Sequence, residues 1–170
     1  HGVLDTTRLF YDGNSQGGII GGSLTAVAPD FERAVLGVPG INYSTLLRRS
    51  VDFDQYAQIM YRTYPNERER PLVLSQIQLL WDRAEGNGYA HHMTSDPLPN
   101  TPAHNVLLHP AFGDHQVTNI AADVQARTIG ARVHEPALDP GAEALRHCAS
   151  LHRRAARGRH ADALRTRLSL

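Results

Sequence analysis

The run Gly13-Asn14-Ser15-Gln16-Gly17 carries the clearest chemistry in the chain. A serine with glycine two residues away on either side is the G-x-S-x-G pattern of a nucleophile held on a sharp strand-to-helix turn. Such a turn strains the backbone at the serine, so the neighbours Gly13 and Gly17 must lack bulk. The hydroxyl then projects above the end of a sheet. The backbone N–H of Gln16 points into the same space and would donate to an oxyanion, and the positive end of the following helix adds to that field. A plain Gly/Ser-rich turn is the other reading of these five residues. Context favours the first, because the apolar run Arg8–Tyr11 precedes the motif and a helical stretch, Gln16–Ala28, follows it.

A second group lies in His109-Pro110-Ala111-Phe112-Gly113-Asp114-His115-Gln116-Val117. A serine nucleophile needs an imidazole as its base, and the imidazole needs a carboxylate to hold its tautomer. Asp114 sits where a loop leaves a strand candidate. Taken alone it reads first as the N-cap of a helix starting near Val117, and the two roles are compatible. The histidines that follow are His134, within a strand candidate, and His147, His152 and His160. The residues alone do not choose among them, and solvated tail histidines remain the simplest reading. His115 belongs to the acid-bearing loop and reads as loop or pocket lining. The pair His91-His92 lacks the spacing of a ligand cluster, and no HExxH is present, so neither a metal nor another cofactor is expected.

The elements that must position these groups follow from hydrophobic pattern. Strand candidates are Arg8–Tyr11, Arg33–Val38, Val106–His109 and Ala131–Glu135. Asp12-Gly13-Asn14 reads as a turn. Four glycines in Gln16–Ala28 weaken it as a free helix but would let it pack very close to a sheet. Tyr43–Arg62 and Glu69–Arg83 have helical spacing, the second with Leu72, Leu74, Ile77, Leu80 and Trp81 near one face. Gly86–Thr101 reads as loop and Val117–Ile129 as helix, with Gly130 as its C-cap. Strands alternating with helices predict an α/β fold: a parallel sheet of about four strands with flanking helices and a helical insert at about 43–85.

The chain has 170 residues, with formal net charge zero from 17 Arg and 17 acidic residues. That length suits one domain. No apolar run is long enough for a membrane span. The single cysteine, Cys148, excludes an internal disulfide framework. Charge is uneven: residues 141–170 hold seven Arg against Glu143 and Asp162. This Arg/Ala-rich tail lacks aromatic interleaving, so a solvated face is expected there and no nucleic-acid partner. No signal-peptide pattern is visible, which makes the cytoplasm the default expectation.

Residues 4–140 resemble the α/β-hydrolase superfamily, specifically bacterial esterase- or lipase-like members. The resemblance rests on Tyr11–Gly18 (YDGNSQGG) and on Val106–Ala131. It corresponds to the fold from its fifth strand onward, so the loop that supplies a second oxyanion donor in the family has no counterpart here. The resemblance implies Ser15 as nucleophile, Asp114 as acid, the Gln16 N–H as oxyanion donor, and a histidine after the last strand, with His147 at a suitable distance. It also implies that Tyr43–Glu85 is a cap whose aromatic residues (Tyr43, Phe53, Tyr56, Tyr61, Tyr64 and Trp81) line an acyl pocket. The implied function is carboxylesterase chemistry on a small-molecule ester. The alternative is a truncated hydrolase of weak or no activity that acts as an interaction domain or needs a partner chain. A bare sheet edge would favour association with a second copy.

Overall fold

The structure, a computed structural model, describes residues 2–5 and 7–134. Its elements fall within one compact unit, His1–Ala131, and a second unit begins at Arg132. Three strands form one parallel sheet in the order β1 (Tyr11–Asn14), β2 (Arg33–Gly37) and β3 (Asn105–His109). Helix α1 (Gln16–Val27) connects β1 to β2. A helical insert of α2 (Tyr43–Leu46), α3 (Asp54–Thr63) and α4 (Arg70–Trp81), with several 3-10 turns, connects β2 to β3. Helix α5 (Asn119–Thr128) follows β3.

Register sorts the side chains by face. Tyr11, Ala34 and Val106 form one cross-strand row, and Gly13, Leu36 and Leu108 form another. These rows pack into the main core with Phe31, Ile41, Ala90 and Met93. The alternate row, Asp12, Val35 and Leu107, faces the other way, and Leu107 is 60% exposed. This explains why the first strand starts later than its apolar run suggests. Asp12-Gly13-Asn14 is strand, because Asp12 and Asn14 point to the open side while Gly13 is buried. The exposed residues Leu9 and Phe10 precede the ladder.

Two further expectations need correction. Residues 131–134 form no strand, so the described sheet has three strands; Glu135, the end of that candidate, lies outside the described residues. Of the five apolar residues expected on one face of α4, only Leu74 is buried, with Ile77 and Trp81 half-buried, while Leu72 and Leu80 are 68% and 66% exposed. The apolar partners of Leu74 form a small satellite core of Phe53 and Ala57 with half-buried neighbours, which does not extend to Leu72 or Leu80. The segment 86–101 is loop punctuated by 3-10 turns at Gly86–Gly88 and Ala90–Met93. Gly130, at φ +71°, follows the last turn of α5 in the left-handed conformation of a helix stop.

Helix α1 buries its glycines, not a hydrophobic stripe: Gly18, Gly21, Gly22, Thr25 and Ala26 are its buried residues. A Cβ on Gly21 would meet the Tyr11 ring at 2.6 Å and Leu36 Cδ2 at 2.9 Å. A Cβ on Gly18 would collide with the carbonyl oxygen of Gly37, a backbone atom of β2. On Gly17 it would meet only the Tyr11 hydroxyl, at 3.7 Å. The closest approach therefore falls at Gly18, one residue beyond the motif's second glycine. Gly18→Ala is expected to destabilise the fold by about 1–3 kcal/mol, the usual cost of overpacking. Gly17→Ala should be neutral or stabilising by up to about 1 kcal/mol, the helix preference for Ala over Gly. Urea unfolding of the two variants beside the parent checks both.

Candidate active site

The carboxyl ends of β1 and β2 each lead directly into a non-glycine residue at positive φ. Ser15, directly after β1, has φ 55° and ψ −119°. Val38, directly after β2, has φ 49°, and Gly113, in the loop after β3, has φ 70°. Positive φ is uncommon for a non-glycine residue and a clear outlier for a β-branched one. Strain of this kind costs about 1–3 kcal/mol per residue and gathers at functional sites. The carboxyl edge of a parallel α/β sheet is also where such folds bind ligands.

Ser15 is held in its conformation by its neighbours. Its N–H donates to the Gly37 carbonyl at 2.9 Å, extending the β1–β2 ladder by one bond. Its own carbonyl accepts from Ile19 N–H at 2.9 Å, starting α1. Gly13 is buried against the same turn, where a Cβ would stand 2.5 Å from the Gly17 carbonyl oxygen and from the Tyr11 hydroxyl. The Tyr11 hydroxyl in turn donates to that carbonyl at 2.8 Å. Ser15 is the N-cap residue of α1, yet its side chain makes no capping bond, and both it and Gln16 are exposed. The hydroxyl is therefore not committed to capping the helix. The N–H of Gln16, in the first turn of α1, has no intrahelical acceptor, and no acidic residue in that turn offsets the helix dipole.

Ser15 and Gln16 stand at one side of a cavity of about 1300 Å³. Its other walls come from the helical insert and from Gln116 and Val117 after β3. The lining is mostly apolar, with Leu46, Phe53, Ile59, Met60 and Ile77 among its residues. Of the six insert aromatics, Tyr43, Phe53, Tyr56, Tyr64 and Trp81 line it. Tyr61 instead lies under the Arg70 guanidinium at 4.1 Å. A hydrogen bond of 3.1 Å from Gln116 Nε2 to Asp52 Oδ2 links the insert to the loop after β3.

Asp114 is half-buried beside that wall without lining the cavity. Its Oδ1 accepts from Gln116 N–H at 2.7 Å and from Val117 N–H at 2.8 Å. Asp114 thus caps the turn 114–117, whereas the N-cap of α5 expected of it falls to Thr118, four residues later. Both bonds use Oδ1. His115 is exposed. His134 is exposed and belongs to the second unit. His147, His152 and His160 lie outside the described residues.

Sequence reasoning missed Glu85. It is 1% exposed and lies just beyond α4. Its carboxylate accepts from the backbone N–H groups of Asn42 (3.3 Å), Tyr43 (3.1 Å) and Asn87 (2.8 Å) and from Gln78 Nε2 (2.7 Å). Gln78 Oε1 closes the network by accepting from Ser44 N–H at 2.8 Å. These bonds tie the start of α2 to the end of α4 and so set two walls of the cavity, Tyr43 and Trp81, whose rings meet edge-on at 5.9 Å. An acid in Ala-Glu-Gly-Asn-Gly gives no sign in sequence that it is buried, because two of its four donors are backbone groups more than 40 residues away.

Compared with known proteins, the chain matches no family model, no curated protein and no solved structure.

Burial first, and then the Glu85 charge, raise the Tyr43 phenol above its ordinary value of 10.0. The folded state therefore favours the neutral phenol. That contribution is fully present below the unfolded value, about pH 10, and is lost as pH rises through the folded value. In a tyrosinate absorbance titration, Tyr43→Phe should remove a late-titrating step, and Glu85→Gln should move that step to lower pH. Glu85→Ala leaves several buried donors unpaired and should cost at least about 3 kcal/mol, at about 1–3 kcal/mol per unsatisfied group. Denaturant unfolding measures it.

Proposed function

We propose that the chain is a serine hydrolase acting on carboxylic esters, as its resemblance to esterase- and lipase-like α/β-hydrolases implies. The observation that carries the reading is the strained, exposed Ser15 at the end of β1, uncommitted to capping and opening on a largely apolar cavity. The three-stranded parallel sheet in sequential order suits the second half of that fold.

In this reading the Ser15 hydroxyl attacks the ester carbonyl and passes its proton to a histidine. The developing oxyanion accepts from the Gln16 N–H. The tetrahedral intermediate collapses, the alcohol leaves with the proton, and water hydrolyses the acyl-enzyme by the same route. Asp114 orients the histidine and stabilises its charged form. His147 is the proposed base, by its distance along the chain from Asp114. The apolar cavity receives the acyl group.

A second reading is an incomplete hydrolase that turns over little by itself and associates with a partner chain or a second copy. The exposed Leu107 on the open face of the sheet favours it. One experiment separates the two. A fluorophosphonate probe reacts only with an activated serine. Labelling that disappears in Ser15→Ala supports the enzyme, and absence of labelling in a folded sample supports the incomplete domain.

Asp114→Asn makes the sharper variant. Asn caps as well as Asp, so stability should hold within a few tenths of a kcal/mol. Loss of the carboxylate should slow ester turnover by up to ~10⁴-fold, as expected when a triad acid no longer sets the imidazole tautomer. Unchanged turnover would leave Asp114 a cap and nothing more.

A further inference from the structure

One side-chain group away from the cavity has the character of a metal site. His91, His92 and Asp96 each offer one ligand atom, and the three atoms lie within 4.8 Å of one another. The His92 Nδ1 is 3.5 Å from Asp96 Oδ2. Two ligands on one tetrahedral zinc stand about 3.3–3.4 Å apart, as bonds of about 2.0–2.1 Å at the tetrahedral angle require. The imidazoles of His91 and His92 are also close, with ring centroids 3.9 Å apart.

The backbone explains why residues with no recognised ligand spacing converge. Ala90 and Met93, on either side of the histidine pair, are both fully buried in the main core. The chain then doubles back: the N–H groups of Ser95 and Asp96 both donate to the His91 carbonyl, at 3.3 and 3.2 Å. That turn returns Asp96 to the side of His92. The segment is held further by His104 N–H on the Met93 carbonyl (2.7 Å) and by the Thr94 hydroxyl on the Ile129 carbonyl (3.0 Å). Three ligand side chains thus stand at the surface on a backbone fastened into the core.

We propose that His91, His92 and Asp96 bind a divalent transition metal of the zinc type, with water completing the coordination. Two imidazoles and one carboxylate suit zinc, cobalt, nickel or copper and disfavour magnesium and calcium, which prefer all-oxygen sites. Binding has one local consequence. His92 Nδ1 now contacts the Asp96 carbonyl oxygen at 2.6 Å. A metal on Nδ1 takes its lone pair, moves the ring proton to Nε2 and breaks that contact. None of the three residues lines the cavity, so the site stands whether or not Ser15 is a nucleophile. The metal acts as a brace across the 90–96 turn.

The test uses the full chain, stripped with chelator and titrated calorimetrically with zinc chloride, with cobalt as a spectroscopic probe of coordination. Zinc should bind in the micromolar range and raise the unfolding temperature. His91→Ala and Asp96→Asn should each weaken that event by about tenfold or more, with His134→Ala as an unaffected control. Thermal unfolding without metal shows whether each variant is folded. Binding only at millimolar zinc, or equal binding by the parent and a His91→Ala/His92→Ala double variant, would overturn the proposal.

Discussion

The turn at Ser15 depends on how closely α1 lies against the sheet. Ser15 N–H reaches the Gly37 carbonyl, and Gly18 lies against the same carbonyl with no room for a Cβ. One peptide of β2 therefore anchors both the end of β1 and the first turn of α1. A side chain at Gly18 would push the helix off the sheet and lengthen the bond that fixes Ser15. Tight contact between helix and strand is thus what maintains the strain, since a strained residue persists only where its surroundings over-determine it. The lack of side chains at 18 and 21 looks like a weakness in an isolated helix and is what the packed turn requires.

The helical insert is held by a different kind of interaction. Its apolar core is small, consisting of Phe53, Ala57 and Leu74 with half-buried neighbours. Polar bonds supply much of the geometry. Glu85 and Gln78, both buried, join the start of α2 to the end of α4 and shape the cavity wall at Tyr43 and Trp81. A buried carboxylate is tolerable because nearly every acceptor site has a donor. The site therefore combines a rigid edge, set by close backbone packing, with a facing wall set by a hydrogen-bond network. In the proposed hydrolase the first would hold the nucleophile and the second would shape the acyl pocket.

Asp114 shows how a local hydrogen-bonding rule can shape a wall of the cavity. Its Oδ1 is spent on the N–H groups of Gln116 and Val117, and these same two residues border the cavity. The cap fixes the path of the loop after β3, whatever the carboxylate does beyond it. His91, His92 and Asp96 are a parallel case, in which a local chain reversal unites side chains that no periodicity connects.

The sequence by itself determined the elements with strong local signals. The motif around Ser15, the helix after it, the strands near 33–38 and 106–109 and the stop at Gly130 were all legible, because turn chemistry and hydrophobic runs act over a few residues. Tertiary structure decided the rest. It extended β1 through Asp12-Gly13-Asn14, since pairing with β2 outweighs the turn preference of those residues. It formed no strand at 131–134, and it turned Leu72 and Leu80 outward, since burial depends on what stands opposite and not on helical spacing. It buried Glu85, directed five of six aromatics to the cavity and returned Asp96 to the histidine pair. Each of these outcomes depends on partners distant in sequence or on the path of the backbone, and residue type and spacing alone do not encode either.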